Sequence, residues 1–318
     1  MNIINHPSVE IWTQPTSGDI MTDMYKHIAR CGRVWYHSID RKTDTSYNKF
    51  IDIINTNKHY SVFAHGTLYL TIFIPYYKDN DTLRRRELVD FFTKNKYSVV
   101  NMDRTPHEKY YITTNYRVIV EHDMLDKIQE FITQPTEFHE RRISVFFSSN
   151  IGVSREFNRH SVNSISEEST RYCNYTKDKF NNEIKYAKSS WINENSESFN
   201  EKQQWPFDAW IYEYMNNNKQ WTAIDWWLFA LSTAETSYMK LIELGWTPEQ
   251  ARVVLNLETG TSFVHTATVS DWKHFLDLRY YGVTGKPHPD AFECAQALHE
   301  KLLLSEYGDY FKNIQHIV

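Results

Sequence analysis

Apolar residues recur along this chain with two periods, and each change of period marks an element. Ile20, Met24 and Ile28 fall on one side of a helix that Asp19 caps and that runs to Cys31, with Gly32 as its stop. A polar, Asp/Thr/Ser-rich segment follows from Asp40 to Asn48. From His65 to Pro75 the period becomes two: Leu68, Leu70, Ile72 and Ile74 alternate with Thr67, Tyr69, Thr71 and Phe73, the pattern of a strand. Helical spacing returns from Leu83 to Lys94, with Leu88, Phe91 and Phe92 inward. A strand is predicted from Tyr110 to Val120, and a short helix from Met124 to Ile132 stopped by Pro135. Ile143 to Phe147 reads as another strand, which delivers the chain to Gly152.

The region 176–222 has weak periodicity and reads as irregular, a loop packed by Trp191, Trp205 and Trp210 that could serve as a lid. A long helix then spans Asp225 to Leu244 and ends at Gly245. Thr247-Pro248-Glu249-Gln250 is a capping box with proline at the first helical position, and it opens a short helix carrying Arg252. Thr261 to Thr266 is extended, and Ser270 caps a helix holding Trp272, Phe275, Leu276 and Arg279. That spacing puts Arg279 on the apolar stripe, where a guanidinium either has a partner or snorkels to solvent from the helix end.

The chemistry concentrates between Val153 and Tyr175. Arg155 and Arg159 fall four apart on one helical face, and Glu156 and His160 repeat the spacing beside them. The charges give way to Ser164, Ser166, Ser169 and Thr170, residues that favour turns over helix interiors, and the run ends in Arg171. Backbone N–H groups, hydroxyls and a guanidinium on one loop suit an anionic phosphate.

Composition narrows the partners. At 318 residues and 38.0 kDa, with 41% hydrophobic and 24% charged residues, the chain can bury a large core and is not disordered. A net charge of −5 argues against a nucleic-acid polymer as ligand, while a single nucleotide held by local arginines fits. Cys31, Cys173 and Cys294 have no metal-ligand spacing, so no metal is expected and a reduced setting is preferred over disulfides. No apolar run reaches membrane-span length, so the expectation is a soluble, cytoplasmic protein without a membrane partner.

The run Arg159-His160-Ser161, seven further residues, Ser169, then Arg171-Tyr172 resembles the signature of the flavin-dependent thymidylate synthases, with Ser161 in place of the second arginine of an Arg-His-Arg triplet. Ala251-Arg252, the spacing of Trp272, Phe275 and Arg279, the pair His288-Pro289 and a His-x-Thr at His65 and Thr67 are similar to the family in the same order. The resemblance implies a single α+β (mixed α/β) catalytic domain over residues 1–318, a central sheet flanked by helices and an insertion at about 76–142. It implies reductive methylation of dUMP to dTMP, with FAD as flavin cofactor and NADPH and methylenetetrahydrofolate as co-substrates, in a homotetramer whose active sites are shared between subunits.

Carried over by position, it assigns Thr67, Arg159, His160, Glu167 and His274 to FAD, with His274 standing where the family often has Asn. It assigns Glu156, Arg159, Ser169, Thr170, Arg171, Arg279 and, from a neighbouring subunit, Arg252 to dUMP, and makes Arg279 the catalytic residue that stabilises negative charge on the uracil. No protein nucleophile is implied, and none is evident among the residues. Two other readings stay open: a related enzyme that alkylates or hydroxymethylates another pyrimidine nucleotide at C5, and a catalytically silent nucleotide-binding homologue.

Overall fold

The chain builds its β structure in separate sheets, each pinned by the alternation seen in the sequence. The computed structural model describes residues 1–16, 18–38, 46–76, 79–104 and 107–312. Short strands β1 (Asn2–Ile4) and β2 (Ser8–Trp12) come first. Helix α1 (Ile20–Gly32) follows, its first turn capped by the Asp19 carboxylate, which accepts from the Thr22 N–H at 2.8 Å. Most of the polar segment at 40–48 lies outside the described residues; from Ser46 it opens α2 (Ser46–Thr56). A 3-10 turn over Tyr60–His65 then leads into β3 (Thr67–Ile74).

The next segment supplies α3 (Asn80–Lys94), β4 (Val99–Asp103), β5 (Glu108–Asn115), α4 (Tyr116–Glu121), α5 (Leu125–Ile128) and β6 (Ile132–Thr133). The strand predicted from Tyr110 to Val120 therefore stops at Asn115. The Asn115 side chain accepts from the Val118 N–H at 3.1 Å and caps α4, so a local cap overrides the β-branched run that follows it.

After β7 (Arg142–Asn150) come α6 (Ile151–Phe157), β8 (Ser164–Glu167) and β9 (Lys185–Ala187). The region 176–222 is not irregular as expected, because it also holds α7 (Glu197–Lys202) and α8 (Phe207–Asn217). Tertiary packing orders it: Trp210 is buried against Trp205 and Trp221, with ring centroids 5.1 and 5.6 Å away. Trp191 is exposed and takes no part in that cluster.

The last third carries α9 (Ala223–Glu243), α10 (Pro248–Ala251), β10 (Gly260–Thr268), α11 (Val269–Leu276), α12 (Pro289–Leu304) and α13 (Gly308–Phe311). The Thr247–Gln250 capping box forms as predicted. Thr268, not Ser270, caps α11, since its hydroxyl accepts from the Asp271 N–H at 3.0 Å while Ser270 binds Glu140.

The mixed α+β class follows from these elements. One antiparallel sheet has the order β2-β7-β10-β8 and another β4-β5-β3-β6, while β1 and β9 pair in parallel. Both neighbours of β3 come from the segment 76–142, expected as an insertion, and this segment completes a sheet and its core. β10 pairs with β7 over its whole length, from Gly260 opposite Asn150 to Thr268 opposite Arg142, and with β8 through Phe263–Thr266.

Between the two larger sheets runs a buried chain of side-chain hydrogen bonds. His27 Nε2 meets Ser144 Oγ at 2.7 Å, and Ser144 Oγ meets Thr266 Oγ1 at 2.5 Å. His65 continues it, with Nδ1 2.7 Å from Thr266 Oγ1 and Nε2 2.9 Å from Ser166 Oγ. Burial pushes the His27 imidazole down to about 3 and holds His65 well below its ordinary value.

His265 and His160 are also buried and pushed down, to about 3 and about 4. These imidazoles are neutral in the fold, whereas the unfolded chain protonates them below about pH 6.5. Stability is therefore complete above pH 6.5 and falls as the pH drops towards 3 to 4, because the unfolded chain then binds more protons. Denaturation midpoints measured against pH should fall steeply over this window with uptake of more than one proton; a flat profile contradicts the buried neutral histidines.

Candidate active site

The signature segment folds as a short helix, a turn and a strand returning along β10. Asn150 caps α6 through its side-chain oxygen, 2.8 Å from the Val153 N–H. Phe157 pins the far end, with ring centroids 5.3 Å from Phe147 and 4.7 Å from Phe275. Beyond β8 the Ser169 N–H donates to Trp35 O at 3.0 Å, and the Tyr172 and Cys173 N–H groups donate to Ser169 O. This fixes a hydroxyl-bearing turn at the sheet edge.

A cleft of about 510 Å³ opens there, lined by Arg155, Asn158, Glu167, Ser169, Thr170 and Arg252, with Trp35 and Tyr172 as aromatic walls. It adjoins a second space of about 520 Å³ walled by Val253, Leu255 and Leu257. Arg252 donates to Thr170 Oγ1 at 3.3 Å. Burial pushes the Glu167 carboxyl up against the hydrogen bonds of Asn158 at 3.5 Å and Thr261 at 3.4 Å. Glu168 beside it is bonded to His37 Nδ1 at 2.7 Å. Arg171 stands at the rim, exposed, with Nε 2.8 Å from Glu249.

A second group of the sequence-predicted residues forms around Arg279. Helix α11 passes into a π-helical turn over Asp277–Tyr281, which rotates Arg279 off the apolar stripe. Its guanidinium donates to Glu156 Oε2 at 2.8 Å, to Glu156 O at 2.5 Å and to His160 Nε2 at 3.3 Å. Of the two readings left open for Arg279, a partner or solvent, the structure shows a partner, Glu156. Because Arg279 only donates, His160 Nε2 is the acceptor and Nδ1 carries the proton. Burial first, then the positive charges of Arg279 and His274, push His160 down to about 4. His274 is exposed, its ring 6.1 Å from that of His160, and Arg159 is exposed on the turn between α6 and β8.

Thr67 lies in a third place. It is buried, its backbone is clasped by the Gln14 side chain at 2.8 and 2.9 Å, and its hydroxyl accepts from Arg142 at 3.1 Å. Arg142 also donates to Ala64 O and Ser164 Oγ. Those two residues border a cavity of about 150 Å³ together with Ser161, Asn163 and Arg117. The buried Asn163 Oδ1 has no hydrogen-bond partner among the described residues. The Arg117 guanidinium and the hydroxyls of Ser161 and Ser164 are donors of the kind that fit a phosphorylated, hydroxyl-bearing cofactor such as a flavin nucleotide.

The sequence reading missed Trp35, Asn158 and Glu168, and it noted Arg155 and Tyr172 without giving them a role. Arg155 had one signal, its four-residue spacing from Arg159. The three cysteines are buried, and burial pushes each thiol up to about 12, which leaves them poor nucleophiles.

The cleft and the Arg279 group describe an α+β protein with a phosphate-suited site at a sheet edge. Residues 87–303 match the family described as thymidylate synthase complementing protein, and the chain belongs to that family, the flavin-dependent thymidylate synthases. Two solved structures of a UMP/dUMP methylase, PolB from Streptomyces cacaoi, are similar to it. The one bound with 5-Br dUMP has 15% identity, covers 96% of this chain and 93% of its own, and has a TM-score of 0.42. The one bound with 5-Br UMP has 13% identity, covers 99% and 98%, and has a TM-score of 0.41. No curated protein matches the chain. No helix among the described residues is long and apolar enough to cross a membrane.

The Arg279–His160 contact carries a direct test. In Arg279→Ala the imidazole loses both a neighbouring positive charge and a donor to Nε2, so its pKa should rise from about 4 towards the ordinary value. Titration by NMR of the His160 ring should show that rise; an unchanged value contradicts the contact.

Proposed function

We propose that the chain is a flavin-dependent thymidylate synthase that converts dUMP to dTMP, with methylenetetrahydrofolate as carbon donor, NADPH as reductant and FAD as cofactor. The observation that carries this reading is the convergence of Ser169, Thr170 and Arg252 on one cleft at the edge of β8, inside the span that matches the family. The hydroxyls and the Arg252 guanidinium hold the nucleotide phosphate, while Trp35 and Tyr172 offer ring faces to the base.

Arg279 acts on the uracil. An arginine cannot serve as a base near neutral pH, but a fixed guanidinium lowers the cost of the anionic ring formed when N3 loses its proton. Glu156 holds that guanidinium in place, and the neutral His160 beside it adds no second positive charge. FAD, when bound and reduced, supplies the hydride. Ser161, Asn163, Ser164 and Arg117, with Arg159 and His160 beside them, would hold it, and Thr67 braces Arg142 behind that cavity.

The predicted site residues fall into separate groups on one chain, which supports a homotetramer whose active sites are completed by neighbouring subunits. The whole chain, inserted segment included, works as one catalytic domain in the cytoplasm.

The purified protein should carry or take up FAD, and its flavin absorption spectrum should change on adding dUMP; a protein that takes up no flavin contradicts the proposal. Arg279→Ala should lower turnover by about 100-fold or more while leaving the thermal transition nearly in place. Near-normal turnover in that variant removes Arg279 from the chemistry.

A further inference from the structure

The cleft and its neighbouring lobe share one wall, and two guanidinium groups stand on it. Arg155 and Arg252, with Thr170 and Ile151, border both spaces, so a ligand entering from either lobe meets the same pair. Arg155 projects from α6, a helix held at both ends by the Asn150 cap and the packed Phe157 ring. Arg252 projects from the 3-10 turn that follows α10. Among the described residues neither guanidinium is in an ion pair.

The acids nearest to them, Glu167 and Glu168, form no ion pair with either guanidinium among the described residues. Glu168 is bonded to His37 at 2.7 Å, and Glu167, whose carboxyl is pushed up by burial and drawn partly back down by its hydrogen bonds and by Arg155, is bonded to Asn158 and Thr261. Arg171 contrasts with both arginines of the wall. It lies outside the cleft lining, its charge is matched by Glu249 at 2.8 Å, and its guanidinium lies 5.5 Å from the centre of the Tyr172 ring.

We propose that Arg155, a residue outside the family signature, is the phosphate-reading group of this chain: with Arg252 it clamps the dianionic phosphate of the nucleotide on the wall between the lobes, and so selects a nucleoside monophosphate over the free nucleoside. Two guanidinium forks outside any ion pair, with the hydroxyls of Thr170 and Ser169, supply charge-assisted donors that a nucleoside has no phosphate to accept. This inference rests on the nucleotide reading of the cleft.

Calorimetric titration of wild type, Arg155→Ala and Arg155→Lys with dUMP and with deoxyuridine tests it. Arg155→Ala should weaken dUMP binding by about tenfold or more and leave deoxyuridine binding unchanged, with Arg155→Lys in between. Arg155 is exposed and outside any ion pair, so its loss should leave the thermal transition in place, which the same samples check. If Arg155→Ala keeps the wild-type preference for dUMP over deoxyuridine, the clamp is wrong while the nucleotide reading stands. If wild type shows no preference between the two ligands, the nucleotide reading itself fails and takes the clamp with it.

Discussion

The buried hydrogen-bond chain between the sheets is the constraint on which the site depends. It joins His27 of α1 and His65 of the turn before β3 to Ser144, Thr266 and Ser166 on three neighbouring strands. Each buried polar group is costly without a partner, so the five side chains fix one relative placement of the layers. Arg142 reinforces it by reaching across to Thr67 and Ala64. The neutral His65 suits this role because its ring offers one donor and one acceptor and uses both nitrogens, whereas His27 joins through Nε2 alone.

That placement determines where the chemistry stands. β10 lies between β7 and β8, so it carries the signature strand on one side and feeds α11 at its end. Phe157 and Phe275 then pack together, which brings the end of α6 against the π-helical turn and lets Arg279 reach Glu156 and His160. On the far side of α6, Arg155 faces the cleft with Thr170 and Arg252. One seven-residue helix thus serves both groups of site residues.

Much of this was legible in the sequence where the cause is local. The alternation through β3, the Asp19 cap and the Thr247–Gln250 capping box form as read, since each depends on residues a few positions apart. Of the hydroxyl-rich run after His160, Ser169 and Thr170 line the cleft, whereas Ser164 and Ser166, read as part of a loop, lie in β8 because they pair with β10. What escaped has distant or competing causes. Asn115 looks like a strand residue until its side chain caps α4, and α8 is ordered by tryptophans whose packing no local period announces. The partner of Arg279 lies 123 residues away, and the π-helical turn that aims it leaves no mark in the spacing. Arg171 was the evident phosphate group in the sequence, yet a glutamate far along the chain holds it at the rim.

The most direct test of the account is release of the hydrogen at C5 of the nucleotide, followed with dUMP tritiated at C5 in the presence of FAD, NADPH and methylenetetrahydrofolate. Substitution at C5 displaces that hydrogen whichever one-carbon group is transferred. The account predicts tritium in the water with wild-type protein and its loss in Arg279→Ala. Retention of tritium by a wild-type protein saturated with flavin and dUMP would contradict it.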